Sequence, residues 1–341
     1  MTTIKDIAKS AHVSPATVSN ALNPDLARMV APETLKRIKK IASDLGYQPV
    51  HHRIKQVTTQ TNCALITTLF INDEIEDEYW HFVRKGIYET ARKRNVNIQN
   101  VFQIQVGIDP GIVANYDGVI ILGSLSEQAI KRLKHYNPNI IVIDDVNTNC
   151  SFVDTIGTDL YNLTLKALNL LKKQANGPIA FIGGYRMEFS LDGSVEKKGD
   201  DLRTQAYRDW LAVNHQSKLM KLTSWNTQAG LSAINELLSE VTAPIGGLLV
   251  ASDSMAIGVV KGLLERQIVP GKDLPLISFD NIHVASFLTP AITSFSLPKE
   301  VLGITAVNQI CDLITHHRQW ISRTTIPGHL GTGETYPLQT C

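Results

Sequence analysis
The chain has 341 residues, 43% of them apolar, and a formal net charge of +1. That length exceeds one core of ordinary size and predicts two or three globular domains. No run reaches the ~18 apolar residues of a membrane span, and the N-terminus lacks the apolar stretch of a secretory signal, so a membrane-spanning or exported protein is not expected and a cytoplasmic one is.

The first 47 residues predict three short helices. Thr3 precedes an apolar face of Ile4, Ile7 and Ala8, with Asp6 three positions on, a capping box with Asp in place of Glu. After a turn at residues 11–13, Ser14 is placed to cap a second helix that opens on Pro15, a residue with no amide to waste at that position. Val18, Ala21 and Leu22 fall on its inner face and Pro15, Ala16, Ser19 and Asn20 outside. A third helix from Pro32 has Leu35, Ile38, Ile41, Ala42 and Leu45 as its apolar positions, and carries Lys36, Arg37, Lys39 and Lys40 on the opposite face. Two helices across a tight turn, followed by a basic third, fit a helix-turn-helix whose second helix enters the major groove of DNA; the competing reading is a small helical packing module with a solvated basic face. Charge favours the former. Residues 1–60 hold nine Lys or Arg against four Asp or Glu, net +5, which leaves −4 for the rest of the chain.

Residues 48–61 are polar, without strand pattern, and read as a linker. From residue 63 apolar runs alternate with helical periods. Strands are predicted at 63–69, 118–123, 140–145, 179–184, 246–252 and 276–280, and helices at 79–95, 127–136, 160–174, 201–213, 228–240, 254–267 and 300–317. Near-continuous apolar strands separated by helices imply α/β lobes, each a doubly wound parallel sheet covered on both faces. Ligands in such folds bind outside the carboxyl ends of the strands, which singles out the polar residues after 143, 250 and 279; at each, helix capping is the alternative, as for Asp253 ahead of Ser254-Met-Ala-Ile-Gly258. Cys63, Cys150, Cys311 and Cys341 show no metal-ligand spacing and read as reduced, mostly buried thiols, so neither a metal nor a cofactor is expected.

Thr3-Ile-Lys-Asp-Ile-Ala8, Val13-Ser14, Ala16-Thr-Val-Ser19, Leu22-Asn23, Pro32-Glu33-Thr34 and Gly46-Tyr47-Gln48-Pro49 resemble the LacI/GalR family of bacterial repressors. The resemblance continues through Asp154–Asp159, Phe181-Ile-Gly-Gly184 with Arg203-Thr-Gln-Ala-Tyr207, Val250–Gly258, Ile277–Asn281 and Pro290–Thr293. It implies a helix-turn-helix headpiece (1–47), a hinge (48–61), and a periplasmic-binding-protein-like pair of lobes with a small effector between them, one of residues 62–159 and 297–325, the other of 160–296 and 326–341. Segments 78–87 and 278–290 look most like the evolved-β-galactosidase repressor branch, which implies a homodimer on near-palindromic operator DNA controlled by a sugar, a galactoside first; purine effectors also occur in the family.

Carried over by position, Pro15, Ala16 and Asn20 face base edges, with Asn20 in place of a common arginine. Thr3, Ser14, Thr17, Ser19, Asn23 and Tyr47 are DNA-backbone candidates. The family hinge wedges a leucine into the minor groove, but here Gln56 holds that position, with Ile54 and Val57 as possible substitutes and Arg53 as a remaining minor-groove or phosphate contact; the alternative is a plain linker. Ala31 replaces the usual serine cap of the third helix. For the effector the family implies Asp159, Arg203 and Asp280, with Trp225 as a stacking surface and Ser252 in place of an asparagine; a helix-surface arginine and a core tryptophan are the alternatives at 203 and 225. Tyr79 and Trp80, after the acidic loop that follows the first strand, also fall at a cleft location, with the start of a helix core as their alternative. An arginine with carboxylates and an indole suits an uncharged polyol. An enzyme on the same body is disfavoured, since no GxGxxG, P-loop or nucleophile–base pair is evident; the missing signal segment and the basic headpiece disfavour a sugar-transport protein.

Overall fold
A computed structural model describes residues 3–22, 30–45, 60–69, 78–143, 150–241 and 244–336. It divides into two compact units, Met1–Thr59 and Gln60–Cys341. The hinge positions Arg53, Ile54, Gln56 and Val57, together with Asn23, Tyr47 and Cys341, lie outside the described residues.

In the first unit, α1 spans Ile4–Ala11, α2 Pro15–Leu22 and α3 Pro32–Asp44. The capping box forms: Asp6 Oδ2 accepts from the Thr3 amide at 2.8 Å, and Thr3 Oγ1 accepts from the Asp6 amide at 3.4 Å. The Thr3 amide and the Thr3 hydroxyl, both donating to Asp6 Oδ2, hold the Asp6 carboxyl below its ordinary value, the backbone bond contributing most. His12 ends α1 in the left-handed conformation (φ 49°), and Ser14 Oγ accepts from the Thr17 amide at 3.1 Å to start α2. The core is small: Ile7, Ala8, Ala11, Val18, Ala21, Ile38 and Ala42. Lys36, Arg37, Lys39 and Lys40 are exposed, and so is Leu45, at 42%, although it continues the apolar period of α3.

The second unit contains two seven-stranded sheets. The first joins β1 (Thr61–Thr67), β2 (Val96–Asn97), β3 (Val101–Gln103), β4 (Gly118–Leu122), β5 (Ile140–Ile143), β6 (Asp154–Gly157) and β13 (Arg323–Thr325). Its order is β13-β6-β5-β4-β1-β2, with β3 also on β1, and every pairing is parallel. The second joins β7 (Ile179–Phe189), β8 (Val195–Asp200), β9 (Met220–Thr223), β10 (Gly247–Val250), β11 (Leu276–Asp280), β12 (Ser294–Ser296) and β14 (His329–Leu330), in the order β14-β12-β11-β10-β7-β8 with β9 on β7. This sheet is not purely parallel, because β8 on β7 and β14 on β12 run antiparallel at its margins.

Helices α4 (Glu78–Lys93), α5 (Glu127–Tyr136) and α10 (Lys299–His316) belong with the first sheet; α6 (Leu160–Gln174), α7 (Leu202–Asn214), α8 (Thr227–Glu240) and α9 (Asp253–Glu265) belong with the second. The chain passes between the sheets three times, after β6, after β12 and after β13. Cys63, Cys150 and Cys311 are free thiols, and burial pushes Cys63 up to about 12, which keeps it protonated and inert.

One feature departs from a plain doubly wound lobe. The second half of β7, with β8, forms a hairpin whose tip packs on the first sheet's lobe. Phe189 and Leu191 are buried among Ile104, Ile108, Val113 and Leu125. The Leu191 carbonyl accepts from the Ile108 amide (2.7 Å) and the Phe189 carbonyl from the Ser126 amide (2.9 Å). At the tip Gly193 has φ +85°, and a Cβ there would lie 2.6 Å from the Ile104 carbonyl oxygen, so only glycine fits.

Candidate functional site
In both sheets the order reverses beside the first strand of the lobe, between β1 and its neighbours β2 and β4, and between β7 and its neighbours β9 and β10. Crevices at such points, outside the carboxyl ends of the strands, are where α/β sheets hold ligands. Arg203, Trp225, Ser252 and Asp280 meet at that end of the second sheet.

Arg203 lies in the first turn of α7 and is 9% exposed. Its Nε donates to Asp201 Oδ1 at 2.6 Å, Nη2 to Asp201 Oδ2 at 3.2 Å, and Nη1 to the Ala251 carbonyl at 2.7 Å just past β10. The guanidinium also lies 4.6 Å from the Trp225 ring centre. A planar fork tied down by a two-point carboxylate and stacked on an indole has its direction set before any ligand arrives. Trp225 follows β9, and its Nε1 donates to the Tyr185 carbonyl at 2.9 Å. The pyrrole edge of its indole lies over Gly184, where an added Cβ would come within 2.2 Å of Cε2, so a side chain at 184 would displace it.

Asp280 ends β11 at φ +99° and Asn281 follows at φ +50°, two consecutive non-glycine residues in positive φ. Strained backbone of this kind persists where the surroundings over-determine it, and it collects at binding sites. Burial raises the Asp280 carboxyl against the opposing pull of Arg203 and Lys299. Its buried neighbour Asp253 is pushed up to about 7, by burial first and by the Asp280 charge second, and its Oδ2 accepts from the Ile282 amide at 2.9 Å. The two acids therefore resist being charged together.

The remaining candidates take more ordinary places. Ser252 caps α9, its Oγ accepting from the Met255 amide at 3.4 Å. Asp159 caps α6, its carboxylate accepting from the Asn162 amide (3.1 Å) and from Asn162 Nδ2 (2.6 Å). Tyr79 is 4% exposed and packed in the core with Val83 and Ile87, so its side chain does not line an open cleft. Trp80, half-buried, meets it edge-on at 4.9 Å. Sequence reasoning missed Asp201, Lys299 and Glu78. Lys299 had a readable signal: it is the first residue of an 18-residue helix, where the helix dipole disfavours a cation. In the headpiece, Thr3, Ser14, Pro15 and Ala16 are exposed, and Thr17, Ser19 and Asn20 are half-buried along α2. Among the described residues no cluster could hold a metal ion and no helix is long and apolar enough to cross a membrane.

A three-helix unit with a turn between its first two helices, joined to a two-lobed α/β body with a cradle at its strand ends, defines a DNA-binding regulator of transcription. Residues 3–50 match the family described as bacterial regulatory proteins, lacI family, and residues 171–336 match the periplasmic binding protein-like domain. The HTH-type transcriptional regulator GalR of Lacticaseibacillus casei is 30% identical over 314 residues, covering 90% of this chain and 91% of that protein. The chain belongs to the lacI family. Two solved structures share its fold at 19% identity and across 98% of the chain: the transcriptional regulator CelR–cellobiose complex, TM-score 0.67 and 100% of that chain, and the lac repressor dimer bound to operator and the anti-inducer ONPF, TM-score 0.66 and 99% of that chain.

Proposed function
We propose that this protein is a cytoplasmic, homodimeric repressor whose hold on operator DNA is set by a small sugar, a galactoside first, bound between the lobes. The observation that carries the effector class is the group at the strand ends of the second sheet: the Arg203 guanidinium fixed by Asp201, the Trp225 ring beside it, and the Asp280 carboxyl. An indole face covers the C–H face of a pyranose, and a guanidinium with a carboxyl pairs with adjacent hydroxyls as donor and acceptor. The cellobiose carried by the related CelR fold is in keeping with this. On the DNA side, Pro15, Ala16 and Asn20 of α2 read base edges: Ala16 offers only a methyl contact, and Asn20 can pair bidentately with adenine. Thr3, Ser14, Thr17 and Ser19, with Asn23 and Tyr47, hold the backbone, and Arg53 holds a phosphate or enters the minor groove.

The test is a melting screen of the full chain with D-galactose, melibiose, cellobiose, hypoxanthine and guanine, followed by operator binding with each compound that raises the melting temperature. A sugar that raises the melt and changes operator affinity is expected, with the effect lost in Trp225→Ala. Stabilisation by a purine and by none of the sugars would overturn the effector class. Indifference of the Trp225 variant would remove the site.

A further inference from the structure
Where β11 ends, the backbone of residues 280–283 is held by four side chains, two of them from across the cleft. From its own lobe, Ser294 Oγ accepts from the Asn281 amide at 3.0 Å and Asp253 from the Ile282 amide. From the other lobe, the Lys299 ammonium donates to the carbonyls of both Asp280 and Asn281, the latter at 3.0 Å. The Glu78 carboxylate accepts from the His283 amide with both oxygens, at 2.9 and 3.0 Å. Lys299 opens α10 and Glu78 opens α4, two helices packed on each other.

Each contact has a reason to exist where it does. A left-handed pair such as 280–281 brings neighbouring carbonyls within reach of one donor group, and an ammonium has three N–H bonds to offer. The lysine sits against the dipole of its own helix, a placement that the two carbonyls and the Phe82 ring, 5.9 Å from Nζ, offset. The carboxylate of Glu78 suits the positive end of α4 and reaches the one amide of the segment that its own lobe leaves open.

We propose that Lys299, assisted by Glu78, is the positioning residue that aims the Asp280 carboxyl, so that this effector contact is formed only when the two lobes are closed on each other. The proposal rests on the reading of Asp280 as an effector contact. Opening the cleft withdraws the ammonium from two carbonyls and the carboxylate from one amide, and the strained 280–281 pair then loses the support that came from outside its lobe. Sugar affinity and lobe closure are linked through this segment, each strengthening the other.

The test uses the full chain with D-galactose as probe and three variants, Lys299→Met, Lys299→Arg and Asp280→Asn, with sugar-free operator binding as the control for folding. Lys299→Met is expected to weaken galactose binding by about tenfold or more while sugar-free operator affinity stays within about twofold. Lys299→Arg, which still donates to carbonyls, restores most of the loss. In the Asp280→Asn background, Lys299→Met adds little further weakening, because its effect passes through Asp280; additive losses would mean a merely structural lysine and overturn the proposal. Independently of any sugar, hydrogen exchange at the amides of residues 281–283 is expected to quicken in Lys299→Met, and unchanged exchange there overturns the proposal. The two readings fail separately: normal galactose binding in Asp280→Asn removes the effector contact itself, whereas weakened binding in Asp280→Asn with normal binding in Lys299→Met removes only the positioning role.

Discussion
Asp253 is fully buried at the start of α9, beside a second acid, and this makes it a source of pH dependence. Its folded value of about 7 stands above the ordinary 3.8, so between these values the folded state holds a proton that the unfolded state has released. Stability from this group is therefore full below about 4 and declines as pH rises to about 7. Arg203, Lys299 and Asp201 act on Asp280 from α7, α10 and the segment before α7, and modulate the pair without reversing that sign. Asp253→Asn keeps an acceptor for the Ile282 amide and removes the charge. Its stability relative to wild type is expected to be greater at pH 7.5 than at pH 5, by a few kcal/mol at most at ~1.4 kcal/mol per pKa unit, read from melts across that range. A second residue-scale prediction concerns Ala31, which leaves α3 without a side-chain cap. Ala31→Ser should stabilise the headpiece by about 1 kcal/mol in a denaturant titration.

Residues of this kind also show where sequence reading stops. Ser252 and Asp159 matched effector positions, yet both spend their side chains on helix amides, which is the alternative that any Ser or Asp ahead of an apolar helix carries. Asp201 escaped notice for the same reason: it reads as the cap of α7, and it is one, accepting from the Arg203 amide at 3.0 Å. Its hold on the guanidinium appears only once the side chain of Arg203 folds back over its own helix start.

At the scale of elements, the unusual piece is the β7–β8 hairpin. Its base touches the cradle, since Trp225 donates to the Tyr185 carbonyl, and its tip is built into the opposite lobe through Phe189 and Leu191. It is thus a non-covalent strap along the cleft, packed and hydrogen-bonded at its tip, in addition to the three chain crossovers. Asp192 stabilises the tip, its carboxyl held down to about 2 by the Ser190 and Ser194 hydroxyls. Leu191→Ala would leave a cavity among Ile104, Ile108 and Val113 and should cost about 2–5 kcal/mol by urea denaturation. A loss well under 1 kcal/mol would show that the tip is not docked in solution.

The hairpin was only half legible. Residues 179–184 are apolar because both faces of that strand are covered, but Tyr185–Phe189 and Val195–Asp200 run along a margin where polar residues are tolerated, and their Glu, Lys and Arg content hides the strand. The same physics explains β2, β3, β13 and β14, which are two or three residues long and lie at or near sheet edges; β6, β9 and β12 were missed as well, because three or four residues, polar ones among them, are too few for an apolar run to show. The buried strands β1, β4, β5, β10 and β11 were all visible as apolar runs, though β1 begins at Thr61, inside the expected linker. The helices of the body were legible to within about two residues because each has a wide apolar stripe facing a sheet.

For the whole molecule the informative quantity is the separation of charge. Residues 1–60 carry +5 and the remainder −4, and in the headpiece the exposed face of α3 concentrates Lys36, Arg37, Lys39 and Lys40. The cradle in the body instead neutralises its own charges internally, Arg203 against Asp201 and Lys299 against backbone carbonyls. Two ligands of opposite character should then respond to salt in opposite ways. Operator binding releases counterions in proportion to the phosphates neutralised, so its affinity should fall steeply with salt, by a factor of ~10³ or more between 50 and 200 mM if about six phosphates are met. A neutral sugar releases none, and its affinity in the same buffers should stay nearly constant. Lys39→Ala should weaken every operator sequence alike and lower the salt slope by about one, where Asn20→Ala should instead change which sequences are preferred. Titrations of operator and sugar across that salt range check both statements. A sugar affinity that fell in parallel with operator affinity would show that the effector is itself anionic, and would shift the chemistry of the cradle from polyol to acid.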